Sequence, residues 1–300
     1  MKRRDRGINA TMRVLVTGWP SFLRGEATAG DVLSMRRVRE TLDRAGVAAD
    51  VAFSPALAPD AVHLDDTDPG DYTHLVFACG PVHGEQVEWL HRRYAGCRRI
   101  AVGVSVVDPT SGAVAGFHRV LARDGLGPPQ ADLSFAASTV PTAVVGVALA
   151  PGQHEYGGRR RHEQVHKALL TWVAGRDVAP VPLDTRLDTA DWRHCATPDQ
   201  FVALLGRLDA VLTTRMHGLV LALRAGVPAI AVDPVSGGGK VTAQAHALGW
   251  PALIAAEHVC AETLDHWWRW CVSPAAHRYS DRPPGGTGTL VADLVGEVLR

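Results

Sequence analysis

Short apolar runs alternate along this chain with longer segments whose apolar positions recur every three or four residues. The first run, Arg13-Val14-Leu15-Val16-Thr17-Gly18, ends in glycine, and residues 32–45 follow with helical spacing and a stop at Gly46. A short apolar run bounded by a turn residue reads as a buried strand, and a 3.6-residue period reads as a helix. The same signals predict strands over 48–53, 74–78 and 100–106, a helix over 85–94, and shorter strands over 119–122 and 133–135. A second series gives strand 143–149, helix 161–174, strand 178–183, helix 198–205, strand 210–213, helix 219–225, strand 229–232 and helix 241–248. A closing helix over 287–299 is apolar at Leu290, Val291, Leu294, Val295, Val298 and Leu299.

Buried strands alternating with helices imply parallel sheets with right-handed crossovers. The expected fold class is therefore α/β, with two Rossmann-like domains whose parallel sheets face a cleft. The expected division is a disordered tail over 1–12, an N-terminal domain over 13–140, and a C-terminal domain over 141–283. Residues 284–300 would form a helix packing back on the N-terminal domain.

Composition narrows the classes of partner. With 31 Lys and Arg against 31 Asp and Glu in 300 residues, the net field offers no reason to expect nucleic acid or an anionic membrane as partner. Five scattered cysteines (Cys79, Cys97, Cys195, Cys260, Cys271), with no CxxC, point to reduced thiols in a cytoplasmic protein. The basic start (Lys2, Arg3, Arg4, Arg6) lacks the apolar stretch of a signal peptide, and no run approaches the ~20 apolar residues of a membrane span.

The candidate chemistry falls in turns after predicted strands, where open parallel sheets collect their ligands. Thr214-Arg215-Met216-His217-Gly218 follows the strand at 210–213 and leads into an apolar helix. Free N–H groups at a helix start favour an anion, and a cation and an imidazole two residues apart add a gripping charge and a proton. Asp233 and the glycines 237–239 before Lys240 form a second, weaker anion-site candidate. In the first half, Gly30 has access to backbone angles closed to other residues, and Asp31 either caps the following helix or takes a proton from a hydroxyl. Gly80 and His83 end the third strand, and Arg123-Asp124 ends another. Arg159, Arg160 and Arg161 suggest an anion-binding rim. His162-Glu163-Gln164-Val165-His166 matches the zinc-protease pattern HExxH, but it follows three cations at what reads as a solvated helix start, so a zinc hydrolase is only a minor alternative.

Taken in order, Gly30-Asp31, Cys79-Gly80-Pro81, Gly103-Val104-Ser105, Arg123-Asp124, Asp132-Leu133-Ser134-Phe135 and Thr214-Arg215-Met216-His217-Gly218 with Ala225-Gly226-Val227-Pro228 resemble the polysaccharide pyruvyl transferase family. The resemblance implies two domains of glycosyltransferase-B type and transfer of the enolpyruvyl unit of phosphoenolpyruvate to a sugar. It implies His217 as general acid, with Arg215, Gly218 and Lys240 on the phosphate or carboxylate and Asp31 activating the acceptor hydroxyl. Gly30, Gly80, His83, Arg123, Arg159, Arg160 and Asp233 complete the expected binding residues. No metal or organic cofactor is required beyond phosphoenolpyruvate as co-substrate, and a homo-oligomer is compatible with the pattern. Where the family usually has a Gly-Gly pair, this chain has Cys79-Gly80-Pro81, which alters the expected acceptor side. Few loops are long enough to wrap a polymer, so a small sugar-containing acceptor is expected. The alternatives from other classes are a glycosyltransferase using a nucleotide sugar and a non-catalytic sugar-phosphate-binding protein.

Overall fold

The computed structural model describes residues 12–280 and 289–300. Residues 1–11 of the expected tail, and the start of the expected closing helix, lie outside the described residues. The chain divides into two compact units, Met1–Val140 and Pro141–Arg300.

The first unit runs β1 (Arg13–Thr17), α1 (Ala29–Arg44), β2 (Ala48–Val51), β3 (His74–Ala78), α2 (Gly84–Arg93), β4 (Arg98–Ser105), α3 (Gly112–Ala115) and β5 (Arg119–Asp124). Its five strands are all parallel, in the order β2-β1-β3-β4-β5. Side chains alternate faces along a strand, and both faces are covered here. Leu15 enters a core with Leu75, Phe77, Leu90 and Tyr94. Val14 and Val16 enter another with Met35, Val76 and Ala78. That two-sided burial is why β1 reads as an uninterrupted apolar run.

One predicted strand is corrected. Residues 133–135 belong to a short 3-10 helix, Leu133–Ala136. The Asp132 carboxylate accepts from the Ser134 N–H and hydroxyl, a local bond that competes with strand pairing despite the alternating apolar pattern.

The second unit runs β6 (Ala143–Ala148), α4 (His162–Ala174), β7 (Val178–Pro182), α5 (Pro198–Leu205), β8 (Ala210–Thr213), α6 (Met216–Arg224), β9 (Ala229–Asp233) and α7 (Lys240–Ala247). It continues with β10 (Leu253–Ala255), α8 (Ala261–Cys271), α9 (Pro274–Ser280) and α10 (Thr289–Val298). The strands are again all parallel, in the order β10-β9-β8-β6-β7. The core gathers Leu169, Leu205, Leu212, Leu219, Ile230 and Leu264 around the sheet. In α10 the apolar positions Leu290, Val291 and Val298 are exposed.

The chain leaves β6 toward β7, then returns to add β8, β9 and β10 on the other side. The order therefore reverses between β6 and β8, and the crevice beyond their carboxyl ends is where such sheets bind ligands. No helix among the described residues is long and apolar enough to cross a membrane.

Candidate functional site

The turn after β8 is built by Thr213. Its buried hydroxyl accepts from the Arg215 N–H at 2.9 Å and stands 3.0 Å from the Ala148 carbonyl oxygen, to which it donates. This locks the end of β8 to the end of β6 and turns the chain into α6. The helix begins at Met216, three residues earlier than the apolar spacing predicts, so His217 and Gly218 lie in its first turn. No side chain caps α6, and its first N–H to bond back is that of Leu219, to the Arg215 carbonyl at 3.1 Å. Gly218 is required by packing. A Cβ there would lie 2.2 Å from Thr213 Oγ1 and 3.4 Å from the Ala148 methyl group.

Arg215 does not point to open solvent. Its Nε donates to the Leu149 carbonyl at 3.0 Å, and Nη1 donates to Thr185 Oγ1 at 2.7 Å. Its Nη2 pairs with Asp184 Oδ1 at 3.3 Å. Three of the five guanidinium N–H donors are thereby engaged at most, which leaves two for a ligand. Asp184 also accepts from the Arg186 backbone and Nε, both at 2.9 Å. Burial pushes the Asp184 pKa up, but the Arg186 bonds and the Arg215 and Arg186 charges outweigh it and hold the carboxyl below its ordinary value.

Around this pair lies a cavity of about 890 Å³ at the switch point of the second sheet. The loop after β6 contributes residues 149–152, Gly157, Gly158, Arg160 and Arg161; the loop after β7 contributes Asp184 and Arg186; the turn after β8 contributes Arg215. Four guanidinium groups and two carboxylates, Asp184 and Glu163, line it. The excess is positive, and among the described residues Arg160 and Arg161 bond to backbone carbonyls, Gly157 and Gly158, rather than pairing with a carboxylate. Such a wall suits an oxyanion.

The HExxH residues form the remaining wall. His162, Glu163, Gln164 and His166 all line the cavity. The solvated helix start expected for this motif is corrected: His162 is buried, because the loop before it is tied down. The Arg161 N–H donates to the Pro234 carbonyl, and the Ser236 N–H to the Arg159 carbonyl, both at 2.8 Å. His166 Nε2 shares a hydrogen bond with Thr214 Oγ1 at 3.2 Å, and that oxygen also accepts from the Ala150 N–H at 2.8 Å. Burial, then His162, lowers the pKa of His166. Among the described residues no group of three or more His, Cys, Asp or Glu side chains is set to hold a metal ion.

Other expected residues take different places. His217 is exposed on the first turn of α6 and is not among the residues lining the cavity. Asp233 is buried and its carboxylate is fully used: Oδ1 accepts from the Val235 N–H, and Oδ2 from the Gly239 and Thr242 N–H groups and the Thr242 hydroxyl. It shapes the loop that ties down Arg159–Arg161 rather than meeting a ligand. Lys240 pairs with Glu155 at 3.8 Å. Arg159 lies over the Tyr156 ring and is not a lining residue, unlike Arg160 and Arg161.

In the first unit, the expected residues have structural partners. Asp31 forms a capping box with Thr28: its N–H donates to Thr28 Oγ1 at 3.2 Å, and its carboxylate accepts from the Thr28 hydroxyl at 2.7 Å. Gly30 is the second residue of α1 and has no positive φ, contrary to the expectation of an unusual backbone. Gly80 does have one, at +73°, and a Cβ there would lie 2.3 Å from Trp19 Cδ1. The exposed His83 ring packs 5.2 Å from the Trp19 ring. Arg123 is enclosed by Asp124, Asp132 and the Ser105 hydroxyl, which hold it charged rather than free for a substrate anion.

Asp184, Thr185 and Arg186 are not expected from any motif in the sequence. Their signal was position alone, directly after a strand end that feeds the crevice.

Comparison with known proteins gives one family. A model described as polysaccharide pyruvyl transferase matches residues 170–236, the segment that carries Asp184, Arg186, Arg215, His217 and Asp233. The matched family is a transferase family. No curated protein matches the chain. Among solved structures it is similar to the calicheamicin glycosyltransferase CalG4, at 14% identity over 97% of this chain and 100% of that one, with a TM-score of 0.33. It is also similar to a UDP-GlcNAc 2-epimerase from Methanocaldococcus jannaschii in complex with UDP-GlcNAc and UDP (10%, 95% and 99%, TM-score 0.35) and to MurG from Acinetobacter baumannii (11%, 95% and 99%, TM-score 0.34). The fold class rests on the two five-stranded parallel sheets.

Proposed function

We propose that this chain is a transferase that takes phosphoenolpyruvate as donor and moves its enolpyruvyl unit onto hydroxyls of a sugar-containing small molecule. The observation that carries this reading is Arg215. It lies in the segment matched by the pyruvyl transferase model and is buttressed by Asp184, Thr185 and the Leu149 carbonyl, on the wall of an arginine-lined cavity. Phosphoenolpyruvate carries a phosphate and a carboxylate, and the cavity wall supplies Arg215, Arg160, Arg161 and Arg186 for two anionic groups.

In this reading phosphoenolpyruvate, gripped at its anionic ends by the cavity, extends out to His217 on the first turn of the same helix, which gives its proton to the methylene carbon, and the central carbon becomes electrophilic. An acceptor hydroxyl oxygen bonds to that carbon, and the phosphate departs with the electron pair of its ester bond. A second hydroxyl of the acceptor closes the ketal. Of the two hydroxyl protons, one restores His217 and the other leaves on the phosphate. Arg215 and the N–H groups at the start of α6 stabilise charge on the departing phosphate.

The test is phosphate release from phosphoenolpyruvate across a panel of sugar-containing acceptors. Acceptor-dependent release that falls by about 10²–10⁴ in His217→Ala is expected, the usual range for a lost general acid. Binding of UDP or GDP with no response to phosphoenolpyruvate would favour glycosyl transfer instead.

A further inference from the structure

His162 opens α4 and lines the cavity, yet it is only 5% exposed. Both of its ring nitrogens are buried, and neither has a hydrogen-bond partner among the described residues. Buried polar groups are satisfied as a rule, so an imidazole orphaned at both nitrogens needs a reason. His166, one turn later, shows the ordinary pattern, with Nε2 bonded to Thr214. It does not serve His162, because the two rings meet edge to face with centroids 5.9 Å apart.

The surroundings fix the state of the ring. Burial, and then the Arg160 charge, lower the pKa of His162; Lys240 adds to this, while Asp233 and Glu155 oppose it. A group whose ordinary value is about 6.5 is then neutral at pH 7, with one N–H donor and one bare nitrogen. Beside four guanidinium groups, a neutral donor adds direction to anion binding without adding a fifth positive charge.

We propose that His162 is a substrate-contacting residue: its ring nitrogens are closed off in the unliganded protein, and on binding the side chain turns so that the ring N–H donates to an oxygen of the anion held by the cavity arginines, an oxygen of a phosphate ester or carboxylate. The inference rests on reading the cavity as the anion site. It has a signature that a core histidine lacks: the unliganded protein gains nothing from the polar nitrogens, so an apolar residue of similar size improves the free protein while it harms binding.

The experiment measures unliganded Tm and the Kd for inorganic phosphate and for phosphoenolpyruvate in the wild type, His162→Leu, His162→Gln and Arg215→Ala. His162→Leu should have a Tm at or above wild type and bind both ligands about tenfold more weakly, and His162→Gln, which keeps a donor, should fall between. A His162→Leu protein that binds like wild type while Arg215→Ala binds weakly overturns the role of His162 alone. A lowered Tm with unchanged affinity shows a structural histidine and overturns it as well. Stoichiometric zinc binding lost in His162→Leu overturns it in favour of a metal site. Unchanged affinity in Arg215→Ala overturns the anion site itself.

Discussion

Arg215 Nη2 lies 3.3 Å from Asp184 Oδ1, and this pair joins the turn after β8 to the loop after β7 across the end of β6. The Arg215 side chain is 15% exposed. Its position is set by groups from two separate loops, after β6 and after β7, so the arginine of the Thr-Arg-Met-His-Gly turn is preorganised before any ligand arrives. Preorganised charge in a partly dry site is more effective than a mobile surface cation.

Asp184→Asn should weaken phosphoenolpyruvate binding about tenfold, or about 1.4 kcal/mol. The substitution removes the charge that holds Arg215 and Arg186 together while leaving the loop's shape. Because Asp184 is a quarter exposed, the loss of stability should be small. Calorimetry for affinity and thermal denaturation for stability would separate the two effects.

Gly218→Ala should destabilise the protein by about 1–3 kcal/mol, the usual range for forcing a methyl group into a packed position. Its Cβ would meet Thr213 Oγ1 at 2.2 Å, and Thr213 has little freedom to move because it is buried and bonded to the backbone at Ala148 and Arg215. Urea denaturation measures the loss. An unchanged midpoint and slope would show that α6 and β8 are not locked in the way described.

Acid should weaken the first unit through Asp132. Burial pushes its pKa up, but the Ser134 hydrogen bonds and the Arg123 guanidinium prevail and bring it to about 2. The folded value lies below the unfolded value of about 4. The unfolded chain therefore takes up the proton first as pH falls. The contribution to stability is complete above about pH 4 and is lost between about 4 and 2; two pKa units correspond to about 3 kcal/mol. Denaturant titrations at pH 5, 3 and 2 should show this loss in the wild type and a flatter profile in Asp132→Asn.

Most of the sheet architecture was legible because its strands are buried on both faces and so read as plain apolar runs; His74–Ala78 and Ala210–Thr213 have the bounds that the sequence predicts. The segment holding β10, α8 and α9 was not read. The helix α8 is crowded with His266, Trp267, Trp268 and Trp270, and their amphipathic rings blur the line between apolar and polar faces. The start of α6 was misjudged because nothing caps it.

The site was half legible. Arg215 was visible from its turn, but its partner Asp184 lies on a different loop that only the strand order brings near. His162 was read as solvated because three arginines precede it. The bonds that bury it come from the loop after β9, which the local pattern does not reveal. Asp31 and Arg123 looked equally chemical, and only their partners show a helix cap and an enclosed ion pair.

The most direct test of the cavity as the donor site is calorimetric titration of phosphoenolpyruvate into the wild type and Arg215→Ala, with UDP as the competing ligand. Phosphoenolpyruvate should bind the wild type and bind Arg215→Ala about a hundredfold more weakly, a difference of about 2.8 kcal/mol. Equal affinity in the two proteins, or tight UDP binding with none of phosphoenolpyruvate, would contradict it.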